Sequence, residues 1–348
     1  MTAADPFQSP GAFRAVFTDG LASMLRTGGE RPALGVFILA LANATYDPQL
    51  MRALRPDLER VYQTLEQHCR AALRGGQTLD DAPDDLMVFL KLLAVGFDGL
   101  SATEFRQAGP WRVQFNHLRA FRPPRMSRTV VNRLWRDFDP AGFHFDKPFL
   151  RAETFWEGQQ FGRPARLLYN KFPFADLHGL LVLEPGAGKP QYLTAADHQH
   201  LWRWLEQLGE RLPGIGMGYN SYGAYASVNH LHLQTYLGTA DYPVEHASWR
   251  HNGGQQPYPV AVRCITDAAQ AWEQLAAWQA RDQAYNLLYR PGRVYLMPRR
   301  MQGHYAHADW TGGFAWSEMA GAITTFNRAV FEGLDAAAIE EEFTRLAS

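Results

Sequence analysis

The run Asn229-His230-Leu231-His232-Leu233-Gln234-Thr235-Tyr236-Leu237 constrains this chain more than any other stretch. Polar and apolar residues alternate in it, the period-two pattern of a strand with one face against a core. His230, His232 and Gln234 are therefore expected on one face, and Leu231, Leu233 and Leu237 on the other. Same-face neighbours on a strand stand about 6–7 Å apart, so two imidazoles and an amide would form a rigid row. Three readings compete for that row. It can be a polar strand face whose histidines are satisfied by hydrogen bonds, a pair of metal ligands, or a histidine nucleophile that attacks phosphorus.

The upstream flank, Gly218-Tyr219-Asn220-Ser221-Tyr222-Gly223-Ala224-Tyr225-Ala226-Ser227-Val228, is rich in glycine, small residues and hydrogen-bond donors. Backbone N–H groups of such a loop can approach a phosphate closely, and Asn220, Ser221 and Ser227 can donate to its oxygens. No Gly-Lys-Ser/Thr follows, so this is not a Walker loop. Alone it would be an ordinary turn; joined to His-x-His-x-Gln it makes a coherent phosphate site.

The run Gly218 to Ala247, ending in Tyr242-Pro243-Val244-Glu245-His246-Ala247, closely resembles the GDP-hexose phosphorylases. These are a branch of the histidine-triad superfamily that also holds galactose-1-phosphate uridylyltransferase. Phe115-Asn116-His117-Leu118-Arg119 with Arg122-Pro123, and Arg166-Leu167-Leu168-Tyr169-Asn170-Lys171 with His178-Gly179-Leu180-Leu181-Val182-Leu183-Glu184-Pro185, resemble earlier segments of that family.

The resemblance implies an α+β fold: an antiparallel, histidine-triad-like sheet with flanking helices, in two pseudo-symmetric halves behind an N-terminal helical region. The expected division is 1–107 for that region, 108–255 for a catalytic half and 256–348 for a degenerate half. It also implies roles. His232 would take the nucleotidyl group as a phosphoramidate, His230 and Gln234 would hold phosphate oxygens, and Ser227 would add a hydroxyl. Asn170 sits where the family places a ribose contact. Asn116, Lys171, Asn220, Ser221 and Gly223 complete the expected nucleotide and phosphate contacts. Arg119, Arg122, Arg125 and Lys171 are candidate cations, each of which alone would read as a solvated surface residue. Gln234 stands in place of the third histidine of the hydrolytic triad proteins, a replacement that goes with transferases and phosphorylases. The implied substrates are a sugar nucleotide, GDP-linked by resemblance, and inorganic phosphate. A dinucleoside polyphosphate phosphorylase or NMP transferase would use the same histidine, and a nucleotide sensor would keep the fold without turnover.

No cofactor or metal is expected. The two cysteines, Cys69 and Cys264, are far apart and form no Cys-x-x-Cys pair. His68 falls in a helical pattern, and His304 and His307 have no partner motif. A net charge of −1 gives no basic field for nucleic acid. The longest uncharged apolar run, Ala33 to Ala44, is short of the roughly 20 residues that span a bilayer. The start Met1-Thr2-Ala3-Ala4-Asp5-Pro6 lacks the marks of a signal peptide, so a cytoplasmic enzyme is expected.

The remaining pattern is helical up to about Gln107 and strand-rich from about Trp111. Leu58, Val61, Tyr62 and Leu65 predict a helix after Pro56 that Gly75-Gly76 ends, and Asp81 through Leu93 predict another. Phe13 to Gly28 resembles the family's opening helix. Arg31 to Gly99 reads as a helical insertion that could lid the site, mediate homodimerisation or enlarge the core. Thr194-Ala195-Ala196-Asp197 resembles a capping box that opens a helix through Leu208. Ala268 to Arg281 predicts a helix, followed by strands Tyr285–Tyr289 and Val294–Pro298 about a turn at Arg290-Pro291-Gly292. Trp316-Ser317-Glu318-Met319-Ala320-Gly321 also resembles a late segment of that family, in which Glu318 could touch substrate; by itself Glu318 reads as a surface residue at a helix N-terminus.

Overall fold

Ser9 opens the first long helix, α1 (Pro10–Arg26), by accepting the Ala12 N–H on its hydroxyl. This computed structural model describes residues 5–27, 33–122 and 129–348; Gly28, Arg31, Pro123 and Arg125 lie outside them. Phe13, Phe17 and Leu21 recur every fourth residue of α1 and are fully buried. The next helix, α2 (Leu34–Tyr46), is the apolar run, and it is buried from Phe37 to Tyr46. A helix apolar all round belongs inside, and α1, α3 (Pro48–Arg74) and α4 (Pro83–Val95) pack around it.

α3 starts eight residues before the predicted Pro56. Asp47 caps it, accepting the Gln49 N–H at 2.7 Å, and Pro48 supplies the first helical φ. Pro56 lies inside the helix on its exposed side, where water can satisfy the carbonyl that proline leaves free. The predicted stop at Gly75-Gly76 agrees with the structure, Gly76 taking φ +65°.

The hairpin β1 (Glu104–Ala108) and β2 (Trp111–Phe115) leads into the short helix α5 (His117–Phe121). Strands β3 (Thr154–Gln160), β4 (Arg163–Tyr169) and β5 (Gly179–Leu183) form a meander, after which α6 (Ala195–Gly209) returns the chain to β6 (Ile215–Asn220) and β7 (His232–Leu237). Then come β8 (Arg263–Ile265), α7 (Ala268–Gln279), β9 (Tyr285–Arg290) and β10 (Arg293–Pro298). The chain closes with α8 (Trp316–Met319), β11 (Ala322–Thr325), α9 (Arg328–Gly333) and α10 (Ala336–Leu346).

The fold is α+β. Eight strands form one sheet in the order β3-β4-β5-β7-β6-β9-β10-β8, each pairing antiparallel. A smaller sheet has the order β1-β2-β11, with β11 parallel to β2. Leu181, Leu231, Leu233, Met217, Tyr219 and Leu287 share one core with α1, α2, α3 and α6. His232, Gln234 and Tyr236 alternate with that set and face the other way.

The capping box of α6 is present: Thr194 and Asp197 each bond the other's backbone N–H. The buried Asp197 carboxylate also pairs with Arg163 at 2.5 Å and with Lys189. Burial alone would raise its pKa, but hydrogen bonds from Lys189, Arg163 and Thr194 outweigh that and hold it below the usual carboxylate range. A depressed carboxylate contributes stability above its unfolded pKa and loses it as pH falls through the folded one. Asp197→Ala should therefore cost about 3 kcal/mol in urea unfolding at pH 7, since it leaves two cations short of a buried partner. That difference should shrink below about pH 4, where the wild-type carboxylate is protonated in the unfolded chain. An unchanged unfolding midpoint would show that the cluster contributes nothing net.

Candidate active site

The expected strand begins later than its alternation suggests. β7 starts at His232, and Asn229 and His230 lie in a bend before it. Asn229 turns out to the loop 136–137, donating to the Arg136 and Asp137 carbonyls and accepting the Gln191 N–H. His230 is held by another distant segment, its Nδ1 accepting the Phe145 N–H at 3.1 Å. The two histidines still meet around one ring: Phe145 stacks on His230 at 5.9 Å and leans on His232 at 4.8 Å.

His232 is fixed from three sides. Its Nδ1 donates to the His230 carbonyl at 2.8 Å, which leaves the lone pair on Nε2. Gln191 accepts the His232 N–H at 2.9 Å and donates to its carbonyl at 3.1 Å. No hydrogen bond engages Nε2 among the described residues. Burial lowers the His232 pKa to about 4, partly opposed by the His230 carbonyl, so the ring is neutral at physiological pH. A neutral, oriented imidazole with a free nitrogen is a nucleophile.

Gln234 accepts the Trp316 indole N–H at 2.9 Å, and its side chain also bonds the His178 ring. The indole can lie there because Gly218 is the cross-strand neighbour of Gln234. A Cβ on Gly218 would meet the Trp316 ring at 2.1 Å. Tyr236 stacks with the indole at 5.7 Å.

The loop before β7 is built differently from the expectation. Asn220 accepts the Asn286 amide at 2.7 Å and the Trp316 N–H at 2.8 Å, and Ser221 accepts the Tyr285 N–H at 3.1 Å. Both are buried and tie β6 to β9 rather than presenting those oxygens to a ligand. Gly223, at φ +89°, gives its carbonyl to the Gln302 N–H. Ser227 is exposed.

The remaining predicted contacts divide. Asn116 caps α5 and donates to Thr45 and Thr103, joining the N-terminal helices to β2. Lys171 pairs with Asp85 of α4 at 2.7 Å, so its charge is already answered. Asn170 is half-buried, with its amide nitrogen 3.2 Å from the His178 ring. Arg119 donates to the Phe172 carbonyl at 2.6 Å and lies between Phe174 and Phe326. Burial lowers its pKa, and Glu318 acts in the opposite sense. Arg122 stacks on Phe172. Glu318 is not the surface residue expected. Its half-buried carboxylate accepts the Ala315 N–H at 3.1 Å, and burial pushes its pKa up against the pull of Arg119. Two open recesses, about 390 Å³ beside His200 and about 630 Å³ beside Arg263, do not include His232. The chemistry therefore marks the site better than the volume does.

His144, Asp146 and His230 bring possible ligand atoms within 4.8 Å of one another. Their donor chemistry does not suit a cation. Nδ1 of His230 and Nδ1 of His144 each already accept a backbone N–H, from Phe145 and Asp146, so the neutral rings carry their protons on Nε2. A metal needs a lone pair there. Cys69 and Cys264 are free thiols, and His68 is exposed on α3.

Sequence reading missed Gln191, Phe145 and Asp146, which act across tens of residues of chain with no local pattern to mark them; Trp316 was marked only as part of a family-like segment, with no role assigned.

An antiparallel sheet in an α+β fold presents a tautomer-fixed histidine from a His-x-His-x-Gln segment. Residues 111–236 match the family described as GDPGP1-like, N-terminal domain, and over this region the chain resembles the GDP-hexose phosphorylases. It is 37% identical over 102 residues to GDP-D-glucose phosphorylase 1 of Danio rerio, covering 29% of each chain. It is 36% identical over 86 residues to GDP-L-galactose phosphorylase 2 of Arabidopsis thaliana, covering 24% of this chain and 19% of that one. The matches thus span well under half of either relative. A crystal structure of yeast Ap4A phosphorylase Apa2 in complex with Ap4A aligns with a TM-score of 0.48 at 18% identity, over 77% of this chain and 98% of that one.

Proposed function

We propose that this protein is a nucleotidyl-transferring phosphorylase that cleaves an NDP-hexose, GDP-linked by its relatives, with inorganic phosphate. The observation that carries this reading is His232, held with Nδ1 on the His230 carbonyl and Nε2 unengaged. In the first step Nε2 attacks the α-phosphorus and the bond to the β-phosphate oxygen breaks. Hexose 1-phosphate leaves, and it needs little protonation. The charge that builds on the ring is met by the carbonyl at Nδ1. In the second step a phosphate oxygen attacks the same phosphorus, the P–N bond breaks, and NDP departs. Positioning and charge stabilisation supply most of the acceleration. The Gln234 amide, two residues along β7 from His232, and the Arg119 guanidinium, which lies on the Phe174 ring, would hold the phosphoryl oxygens.

The test is a panel of NDP-sugars and dinucleoside polyphosphates incubated with phosphate and followed by chromatography. Phosphate-dependent release of GDP and hexose 1-phosphate is the expected result. Turnover of dinucleoside polyphosphates alone would move the assignment to that class, and no turnover of any member would favour a nucleotide sensor.

A further inference from the structure

The buried ring of His230 is gripped by consecutive residues of a loop remote in sequence. Phe145 donates its N–H to Nδ1 at 3.1 Å, and Asp146 places Oδ2 3.5 Å from Nε2. Nε2 is fully buried and makes no hydrogen bond among the described residues, so the Asp146 carboxylate at 3.5 Å is the charged group set against it. Asp146 is itself anchored, Oδ1 to Arg166 of β4 at 3.2 Å and Oδ2 to the Gly186 N–H at 2.8 Å. Arg166 also pairs with Glu157 of β3, so the anchor reaches the edge of the sheet.

We propose that Asp146 is a positioning residue of the nucleotidyl transfer. It locks the His230 ring in the Nε2–H form, and through that ring it sets the His230 carbonyl that orients His232. Each link is one contact on the same short path. Asp146 holds the ring, the ring holds its own residue out of the strand, and the displaced backbone carbonyl takes the His232 Nδ1–H. The cluster with metal-ligand spacing acts instead as a support for the nucleophile. This inference rests on the proposed covalent mechanism.

Asp146→Asn tests it with an isosteric change. The three groups that face the carboxylate are all donors: Arg166, the Gly186 N–H and His230 Nε2–H. A carboxamide turns its NH₂ toward at least one of them in either orientation. Expected is a fall in kcat of about 10–100-fold with KM changed by less than about twofold, the size of effect that supporting residues have at metal-bound histidines. Asp146→Glu, which keeps two acceptor oxygens, should recover part of it. A second readout is independent of turnover. Imidazole ¹⁵N spectra of the free wild-type protein should show His230 protonated on Nε2 and His232 on Nδ1, with the His232 proton exchanging faster in Asp146→Asn. Unchanged kcat and unchanged exchange in Asp146→Asn would overturn the proposal. Absence of turnover in the wild type would instead sink the phosphorylase reading, and the spectra would still decide the role of Asp146.

Discussion

His232→Ala should abolish phosphorolysis, lowering kcat on the order of 10⁴-fold or more, while the protein still folds and binds nucleotide. The expectation of a loss this large follows from removing the only atom that forms the covalent bond, since the residues left behind can only bind. Folding should survive because the strand's apolar side, Leu231 and Leu233, is untouched in the main core. The check is a single-turnover assay with nucleotide labelled at the α-phosphate. Wild type should acquire acid-labile label and His232→Ala none. A variant that kept near-normal rates would sink the covalent mechanism. The pH dependence follows from the same burial. With the His232 pKa lowered to about 4, the acid limb of kcat/KM should lie near pH 4, not near the 6.5 of a free imidazole. Stability should fall earlier. Burial also lowers the pKa of His200 and His230 to about 4 and of His178 to about 3. Below about pH 6.5 the unfolded chain binds protons that these buried rings refuse, so stability drops as pH falls from there. Rates near pH 4 must accordingly be initial rates.

The parts of this fold legible in the sequence are those written in local signals. The alternation after His232 specified β7 and its two faces. The Thr194-x-x-Asp197 pair specified the start of α6, and Pro291-Gly292, with Gly292 at φ +71°, specified the turn between β9 and β10. Where a distant residue decides, the local signal failed. His230 carries strand periodicity, yet the Phe145 N–H, 85 residues away, pulls it out of the strand. The early start of α3 was hidden because Pro56 looks like a boundary, whereas Asp47 and Pro48 make the stronger one. The candidate site residues divide in the same way. The shared face of His232 and Gln234 was legible because a strand displays alternate residues. Asn220 and Ser221 were read from loop composition as phosphate donors, but both are buried, and their oxygens accept the bonds that join β6 to β9. Lys171 could not be known to face Asp85 without knowing where α4 packs.

Gly218→Ala should damage stability and activity together. Gly218 pairs with Gln234 across the strands, and its missing side chain is the space in which the Trp316 indole lies. An added Cβ would sit 2.1 Å from the indole, far inside contact distance, so the ring must move. It is not the free end of a flexible chain. Tyr236 stacks on it, and its backbone N–H is held by Asn220. Overpacking of this kind costs about 1–3 kcal/mol, which thermal unfolding would report. Displacing the indole also breaks its 2.9 Å bond to Gln234, a contact that fixes how the amide is turned. The expected loss in kcat/KM is therefore at least about 10-fold, beyond what overpacking alone would produce. Trp316→Phe separates the two effects. It keeps an aromatic ring over Gly218 but removes the N–H, so it should lose rate with little loss of stability. If Gly218→Ala unfolds and turns over as the wild type does, the indole is not held against Gly218 and Tyr236, and Gln234 must be oriented by something else.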